Sequence, residues 1–268
     1  MIKFFRHIRR SLIQKNQMGK YFKYAIGEIL LVVIGILIAL QINNWNEQRK
    51  ANAEEQVLLS QLKSDFIDNL EQLNQKIRTR NVMLKSCDEA FKIIDNPSLA
   101  VKDSIDVLIA RTMPYATFDP IIHDLSSSGE LKLINNIKLK QALTNWSADI
   151  IDVTEDEHAW KQYRHDHYIP FLQKNYQLRS LRNKAFKANV LGSYTIQRET
   201  LNSTYSEYEI GYSKHKENYI ALLENPDFED HLTRLYAINS WTNVQSNILR
   251  QHIEDIIKMI DNELELKK

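Results

Sequence analysis

Residues 24–42 constrain the fold more than any other part of the chain. These 19 residues carry one charged side chain, Glu28, and they are apolar all around a helix rather than along one stripe. About 20 apolar residues suffice to cross a bilayer as a helix. We therefore predict a transmembrane helix over residues 24–44, in preference to the buried core helix of a soluble protein.

The charges beside this segment are unevenly distributed. Residues 1–23 contain seven basic residues and no acidic one, whereas the rest of the chain has 28 basic and 34 acidic residues. Positive charge favours the cytoplasmic side of a span, and aromatic residues such as Tyr21 and Trp45 are typical of the two membrane interfaces. We predict a basic cytoplasmic tail over residues 1–23 and an exported domain after Trp45. The basic tail indicates topology and does not predict a nucleic-acid partner.

A cleaved signal peptide is the alternative interpretation of residues 24–42. Cleavage requires small residues a few positions beyond the apolar core, and residues 40–43, with the sequence LQIN, do not supply them. The sequence therefore favours an uncleaved anchor that leads directly into the exported domain.

Glu28 lies about one helical turn inside the predicted span and has two explanations. In the first, it snorkels to the headgroups or pairs with Lys20 or Lys23. In the second, it marks a face that contacts a partner helix, because an acid inside a membrane usually has a function. Helical spacing places on one face Glu28, Gly35, Ala39, Ile42 and Asn46. Gly35 and Ala39 form a small-xxx-small pair, which lets a second helix approach closely.

The segment KYFKYAIGEILLVVIGILIALQINNWNEQRK, residues 20–50, closely resembles the N-terminal signature of an uncharacterised family of bacterial single-pass membrane proteins, found mainly in the Bacteroidota. The similar features are a short basic tail, a YAIGEI-type span and a QINNWNE-type exit. A second segment, SSGELKLINNIKLKQALTNW, residues 127–146, is similar to a later part of the same family. The resemblance implies a membrane anchor and a helical exported domain. It implies no catalytic residue and no ligand, because the family is one of unknown function.

After Trp45, apolar residues recur at steps of three and four, the period of an amphipathic helix. This first apolar series consists of Leu59, Leu62, Phe66, Leu70, Leu73, Ile77, Leu84, Cys87, Phe91 and Ile94. Neither Gly nor Pro occurs between residues 36 and 96. We therefore predict that one helix runs from the membrane to Asn96-Pro97, as a stalk that becomes the first bundle helix over residues 45–96.

Two further apolar series predict two more long helices. The second series, which ends at Pro170, is Leu139, Leu143, Trp146, Ile150, Val153, Glu157, Trp160, Arg164 and His167. The third series, after Asn225-Pro226, is Phe228, Leu232, Leu235, Ile238, Trp241, Gln245, Ile248, His252, Ile256, Met259 and Leu264. Amphipathic helices bury their apolar faces against one another, so residues 97–268 are predicted to complete an antiparallel all-α bundle. Shorter helices are expected near 102–112, 119–127 and the tyrosine-rich region 180–222.

Three polar residues, Glu157, Gln245 and His252, lie on these otherwise apolar faces. A buried polar group without a partner costs about 1–3 kcal/mol, so each of them requires one. A contact of Glu157 with His252 or Arg164 would fix the register of the bundle. A polar pocket that binds a ligand is the functional alternative.

The histidines of residues 155–168 are the best candidates for metal binding. Glu155 and His158 have the Glu-x-x-His spacing of di-iron bundles, but such sites need a second copy of the motif and the chain contains none. His165 adds only a second imidazole, which is too few ligands for a metal site. We expect a solvated helix face here.

Two other groups have structural explanations. Ser127 and Glu130 have the spacing of a capping box, which predicts that a helix begins before Leu131. Cys87 is the only cysteine and lies on the first apolar series, so it is expected to be buried and to form no disulfide within the chain.

The sequence thus predicts a protein of the bacterial cytoplasmic membrane with one span, a cytoplasmic N-terminus and a periplasmic helical domain. The leading hypothesis for its function is a non-catalytic interaction or assembly module, which contacts the bilayer and either a protein partner or further copies of itself. The alternative is an extracytoplasmic sensor that binds a small ligand between bundle helices. No enzymatic activity, metal, cofactor or nucleic-acid partner is predicted.

Overall fold

The computed structural model of the protein describes residues 18–123, 125, 127–187, 210–211 and 213–266. Every regular element among these residues is helical, which confirms the predicted all-α class for the described part of the chain. The chain divides into two compact units, Met1–Val57 and Leu58–Lys268, and this division falls inside the predicted stalk over residues 45–96. Most of the predicted tail and most of the tyrosine-rich region lie outside the described residues.

The first helix, α1 (Met18–Asp95), is 78 residues long and ends directly before Asn96-Pro97, as predicted. Proline disfavours helical geometry in the residue that precedes it, which explains this end. In the first unit, the apolar part of α1 is long and apolar enough to cross a membrane, and none of it is buried inside the protein.

The described part of the second unit adds further α-helices after α1. They are α2 (Lys102–Thr112), α3 (Ile137–Tyr163), α4 (Ile169–Asn175), α5 (Leu178–Lys187), α6 (Tyr219–Leu223) and α7 (Pro226–Leu266). Helices α3 and α7 pack along each other, and α2 packs against α5. The predicted helix over 102–112 is confirmed as α2.

Buried apolar side chains form two clusters in the second unit. The first cluster includes Leu59, Leu62, Phe66, Ile77, Trp146, Val153, Leu249 and Ile253. The second cluster includes Met83, Cys87, Ile105, Trp160, Tyr168, Phe228, Leu232 and Leu235. Between the two clusters lies a set of buried polar residues that we call the polar layer: Arg80 on α1, Glu157 on α3, and Asn239, Thr242, Asn243 and Ser246 on α7. Along each of the three long helices α1, α3 and α7, the buried residues are therefore apolar, then polar in this layer, and then apolar again.

The predicted burial of the third apolar series is wrong in the middle of α7. Trp241 and Ile248 are more than half exposed, whereas Asn243 and Ser246 are buried. The reason is that the buried side of the helix faces Arg80 at this point and therefore carries polar residues. The apolar residues at positions 241 and 248 follow helical spacing too, but they lie on the outer side.

Helix α3 buries its predicted series from Leu139 to Trp160, and a π-helical turn (Arg164–Tyr168) then shifts the register. A π-turn inserts one extra residue, so Tyr168 is buried and His167, the predicted position, is exposed. Helical structure also continues beyond Pro170, contrary to the prediction. Pro170 lies in the first turn of α4, where a missing N–H costs little.

Two predictions about the segment between α2 and α3 are also wrong. Residues 119–123 are not helical, because their backbone groups bond to side chains of α1, as described below. The capping box predicted at Ser127 and Glu130 is wrong too: a 3₁₀ turn (Glu130–Lys132) does begin before Leu131, but its N-cap is Gly129, whose φ is 77°. Helix α3 begins later, where the side chain of Asn136 accepts the backbone N–H of Leu139 at 3.1 Å.

Candidate functional site

A buried ion pair joins α1 to α3 in the polar layer. The side chains of Arg80 and Glu157 are 1% and 0% exposed, and Arg80 Nη1 donates to Glu157 Oε1. The other carboxylate oxygen, Oε2, accepts the backbone N–H of Phe118 at 2.5 Å. Because an unpaired charge in a protein interior is strongly destabilising, neither member can be buried without the other.

Arg80 also binds α7 and the segment after α2. Its Nε donates to Asn243 Oδ1 at 2.8 Å, and its Nη2 donates to Ser246 Oγ at 2.6 Å. Its Nη1 also lies 3.4 Å from the carbonyl oxygen of Ala116. Asn243 in turn donates to Asn81 Oδ1 at 2.7 Å. One guanidinium therefore holds four parts of the second unit together.

Burial and pairing act in opposite directions on the pKa values of this pair. Burial raises the pKa of Glu157, and the charge of Arg80 and the N–H of Phe118 oppose that rise. Burial lowers the pKa of Arg80, and Glu157 opposes that fall. All the polar atoms of the pair are bonded to protein groups, so the arrangement is suited to holding chain segments rather than to transferring protons.

A segment without regular secondary structure, residues 113–121, makes hydrogen bonds to α1 and α3, and we call it the strap. Gln72 donates to the carbonyl oxygen of Asp119 at 2.9 Å and accepts its N–H at 2.7 Å. Asn69 makes the same pair of bonds to Ile121, at 3.0 and 2.7 Å. Each amide side chain thus supplies the two bonds that a neighbouring β-strand would supply, which satisfies the backbone of Asp119 and Ile121 without a sheet.

Helix α3 and the π-helical turn that follows it hold the other end of the strap. Trp160 Nε1 donates to the carbonyl oxygen of Pro114 at 3.2 Å, and Arg164 Nε donates to that of Met113. The guanidinium of Arg164 also lies over the ring of Tyr115, 5.4 Å from its centroid. Arg164 thus interacts with the strap and not with Glu157. Burial lowers the pKa of Arg164.

The structure corrects the predicted polar network. Glu157 is buried, but its partner is Arg80 and not Arg164 or His252. His252 is exposed, and its Nδ1 lies 3.2 Å from Oδ2 of Asp149 on α3. Gln245 is half-buried and does not bond to the ion pair. The residues of α7 that bond to Arg80 are Asn243 and Ser246, and neither belongs to the predicted series.

A signal for Arg80 is nonetheless present in the sequence. The first apolar series contains a single step of seven residues, from Ile77 to Leu84. Arg80 occupies the position in this gap where an apolar residue would have kept the helical spacing. A basic residue in the gap of one series and Glu157 in another would together have predicted the ion pair.

A second buried acid, Asp106, fixes the position of α2. The hydroxyl of Tyr176 donates to Asp106 Oδ1 at 2.5 Å, and Lys102 lies 2.9 Å from Oδ2. Lys102 also pairs with Glu217 at 3.3 Å. Burial, reinforced by Asp106, raises the pKa of Tyr176 far above its usual range, so the phenol stays a donor. This cluster ties α2 to segments more than 60 residues further along the chain.

His231 lies among aromatic side chains at the start of α7. Its Nδ1 is 2.9 Å from the hydroxyl of Tyr163 on α3. Burial lowers the pKa of His231, His167 lowers it further, and the carboxylates of Asp227 and Asp230 oppose this fall. His231 is therefore held in its neutral form more strongly than an exposed histidine.

The other groups considered as metal ligands do not come together. Among the described residues, no three His, Cys, Asp or Glu side chains are arranged to hold a metal ion. Glu155 and His165 are exposed, and the Nδ1 of His158 lies 2.6 Å from the carbonyl oxygen of Thr154 in its own helix.

The predicted intramembrane face lies on α1 in the first unit. Glu28 is half-buried, whereas Gly35, Ala39 and Ile42 are exposed. A Cβ atom placed on Gly35 would meet no other atom within 4 Å. The helix backbone at Gly35 is therefore open to close approach from outside the chain.

A second exposed apolar surface lies on α7. Trp241, Val244 and Ile248 are 56%, 51% and 52% exposed and follow one another at steps of three and four. A surface groove beside them is lined by Val244, Asn247, Ile248, Gln251 and His252. Single exposed apolar residues are ordinary, but an uninterrupted set along one helix face is typical of an interaction site.

Taken together, the described residues define an all-helical protein in which one helix, near the N-terminus, is long and apolar enough to cross a membrane. A family model described as "Family of unknown function (DUF6090)" matches residues 28–150, slightly less than half of the chain. The expected similarity to an uncharacterised family is confirmed over this segment. No curated protein matches the chain. No solved structure matches it either.

Proposed function

We propose that the protein crosses the bacterial cytoplasmic membrane once, as in the Bacteroidota family that the span resembles. We also propose that it serves as a non-catalytic interaction or assembly module. None of the apolar part of α1 is buried inside the protein, and it is long enough to span a bilayer, which supports the anchor. The seven basic residues before it support a cytoplasmic N-terminus and a periplasmic second unit.

The second unit is proposed to be an antiparallel bundle on which partners dock. Contacts between α3 and α7 support this direction, because the N-cap of α3 touches a residue late in α7 and the last residue of α3 touches a residue early in α7. Asn136 donates to Glu263 at 2.8 Å, whereas Tyr163 contacts His231 at 2.9 Å. The ion pair of the polar layer then fixes the register of the helices and holds the strap.

The observation that carries the interaction proposal is the exposed apolar face of α7 at Trp241, Val244 and Ile248. Water-exposed apolar side chains that are contiguous on a rigid helix gain free energy when a partner covers them. The intramembrane face of Glu28, Gly35, Ala39 and Ile42 is proposed as a second contact, with snorkelling of Glu28 as the competing explanation.

The sensor hypothesis receives less support from the same residues. It required Glu157, Gln245 and His252 to line one pocket between helices. Glu157 is instead fully enclosed and bonded to Arg80 and Phe118, whereas His252 is exposed. The charged residue expected to recognise a ligand thus already has protein partners.

Amine-reactive cross-linking in intact membranes tests the assembly proposal. Species heavier than the 31.5 kDa monomer are expected at all but the lowest reagent concentrations. A protein that remains entirely monomeric under these conditions would contradict an assembly function.

The variant Glu28→Gln separates the two explanations of Glu28. Glu47→Gln is the matched control, because Glu47 is an exposed acid on the same helix, beyond the predicted span. Loss of cross-linked species in Glu28→Gln alone assigns Glu28 to a partner contact. Equal yields in both variants assign it to snorkelling.

A further inference from the structure

A pocket of about 370 Å³ opens on the surface of the second unit, between α3 and residues that precede it in the chain. Its α3 side is lined by Leu143, Thr144 and Ser147. Ile122 and His123, which follow the strap directly, line it as well. Pockets that bind small molecules measure about 300–1,000 Å³, so this volume suits a small ligand.

Helix α1 holds the His123 side of the pocket in place. Asp65 Oδ2 lies 2.5 Å from His123 Nε2. One helical turn further along α1, Asn69 makes its two bonds to the backbone of Ile121, at 3.0 and 2.7 Å. Because protein contacts already position these residues, ordering them costs little free energy when a ligand binds.

The buried lining of the pocket is apolar. Leu125 and Leu143 are 5% and 8% exposed and belong to the first core cluster, and Leu131 packs against that cluster. The N–H of Leu131 donates to the carbonyl oxygen of Leu125 at 3.2 Å, which holds these two residues together. Free energy is gained when a ligand removes such apolar surface from water. The part of the ligand that lies here is therefore aliphatic.

The polar lining accepts hydrogen bonds more readily than it donates them. His123 Nε2 must carry a hydrogen to bond the carboxylate of Asp65, so a neutral imidazole has Nδ1 as an acceptor. The hydroxyl of Thr144 donates to the carbonyl oxygen of Lys140 at 2.8 Å, so its oxygen is left to accept. Among the residues that the structure describes, neither Nδ1 of His123 nor the hydroxyl of Ser147 has a hydrogen-bond partner. A complementary ligand therefore carries a donor.

The charges around the pocket favour an uncharged ligand. The carboxylate of Asp65 lies beside His123, and none of the described lining residues is a lysine or an arginine. A ligand carboxylate or phosphate would be repelled by Asp65 with neither of these cations to compensate. An ammonium group has no acceptor, so it could not use the hydroxyl hydrogen of Ser147. A hydroxyl group both donates and accepts, and it satisfies both sides of the pocket.

We infer that this pocket binds a small aliphatic alcohol. The hydroxyl of the ligand donates to Nδ1 of His123 and accepts from Ser147, and its carbon chain covers the buried leucines. The inference goes beyond the proposed assembly function and does not depend on it, because no pocket residue belongs to the intramembrane face or to the exposed apolar face of α7. It gives the second unit a small-molecule ligand of its own.

Photolabelling of the full chain in membranes tests this inference. The probe is hexan-1-ol with a diazirine on its chain, and the adducts are located by mass spectrometry of peptides. The predicted span provides an internal reference, because an alcohol partitions into the bilayer without saturation. Labelling of the pocket residues is expected to saturate and to fall when unlabelled hexan-1-ol is added, while labelling of the span does not change. Pocket labelling that is absent, or that rises in proportion to labelling of the span, would overturn the inference.

Competitors of the same chain length test the assigned chemistry. Hexanoate is expected to compete at least about tenfold more weakly than hexan-1-ol, because Asp65 repels its carboxylate. Equal competition by the two would overturn the assignment of an alcohol. A monoacylglycerol, 1-hexanoylglycerol, presents the same hydroxyl chemistry from a lipid. Stronger competition by this compound than by hexan-1-ol would support the inference and identify the alcohol as a lipid.

Two pairs of variants locate the binding site. Ser147→Phe fills the pocket, and Ala148→Phe is its matched control, exposed at the next position of α3. His123→Leu removes the acceptor, and His252→Leu is its control, because His252 also pairs with an aspartate and is similarly exposed. Competition by hexan-1-ol is expected to be lost in Ser147→Phe and to weaken about fivefold in His123→Leu, the effect of one ordinary hydrogen bond. Equal competition in all four variants would overturn the inference.

Discussion

The buried ion pair of Arg80 and Glu157 allows a quantitative test of how the second unit is held together. In the variant Glu157→Gln the side chain keeps its size and one acceptor oxygen but loses its charge. The guanidinium of Arg80, which is 1% exposed, is then buried without a counter-charge. Such a change acts on the link between α1 and α3 without opening a cavity.

The expected loss of stability follows from the bonds involved. The carboxylate accepts one bond from Arg80 and one from the N–H of Phe118. Hydrogen bonds to charged groups contribute about 1.5–3 kcal/mol each, and removing one partner of a buried pair costs about 3–5 kcal/mol. Since glutamine retains one acceptor, we expect the free energy of unfolding to fall by about 3 kcal/mol.

Urea unfolding of the full chain in a mild detergent measures this loss through the fluorescence of the buried Trp146 and Trp160. Glu155→Gln is the matched control, because Glu155 is exposed on the same helix, and its effect is expected to stay within about 0.5 kcal/mol. A loss below about 1 kcal/mol in Glu157→Gln would refute the reasoning. If that variant does not fold, the double variant Arg80→Met with Glu157→Leu still tests the pair, because replacing both charges should restore folding.

Three further outcomes are expected. Cys87, whose pKa is raised to about 12 by burial, should react with a thiol reagent at about pH 8 only after unfolding, and labelling of the native protein would contradict its burial. His231, whose pKa is lowered by burial, binds fewer protons in the folded than in the unfolded state, so stability should fall as the pH drops below 6.5. The variant His231→Gln should lose less stability over the same change in pH, and an unchanged pH profile would show that His231 is not responsible. Asn69→Ala removes both bonds to Ile121 and should cost about 1–2 kcal/mol, with faster amide exchange at Ile121 as the direct measurement.

The features that the sequence predicts correctly are those with long, strong periodicity. The end of α1 before Asn96-Pro97 follows from an uninterrupted helical pattern that meets a proline. The burial of Leu139, Ile150 and Glu157 on α3 follows from one apolar series in which a single polar residue keeps the spacing. In these helices the local pattern and the packing agree.

The rest depends on interactions between distant parts of the chain. The middle of α7 buries Asn243 and Ser246 because Arg80, more than 160 residues earlier, needs acceptors there. The end of the strap is not helical because Asn69 and Gln72 bond the backbone groups of Ile121 and Asp119. No local pattern encodes such pairings, so a prediction based on apolar spacing assigns the wrong side of α7 to the core.

Thiol accessibility of Glu254→Cys in cells tests the central claim that the domain after α1's apolar segment is exported. A maleimide that cannot cross the cytoplasmic membrane is added to spheroplasts before and after permeabilisation. The engineered thiol is exposed on α7, and the native Cys87 is buried, so labelling reports position 254 alone. Full labelling of intact spheroplasts is the predicted result. Labelling that appears only after permeabilisation would place the domain in the cytoplasm and contradict the proposed topology.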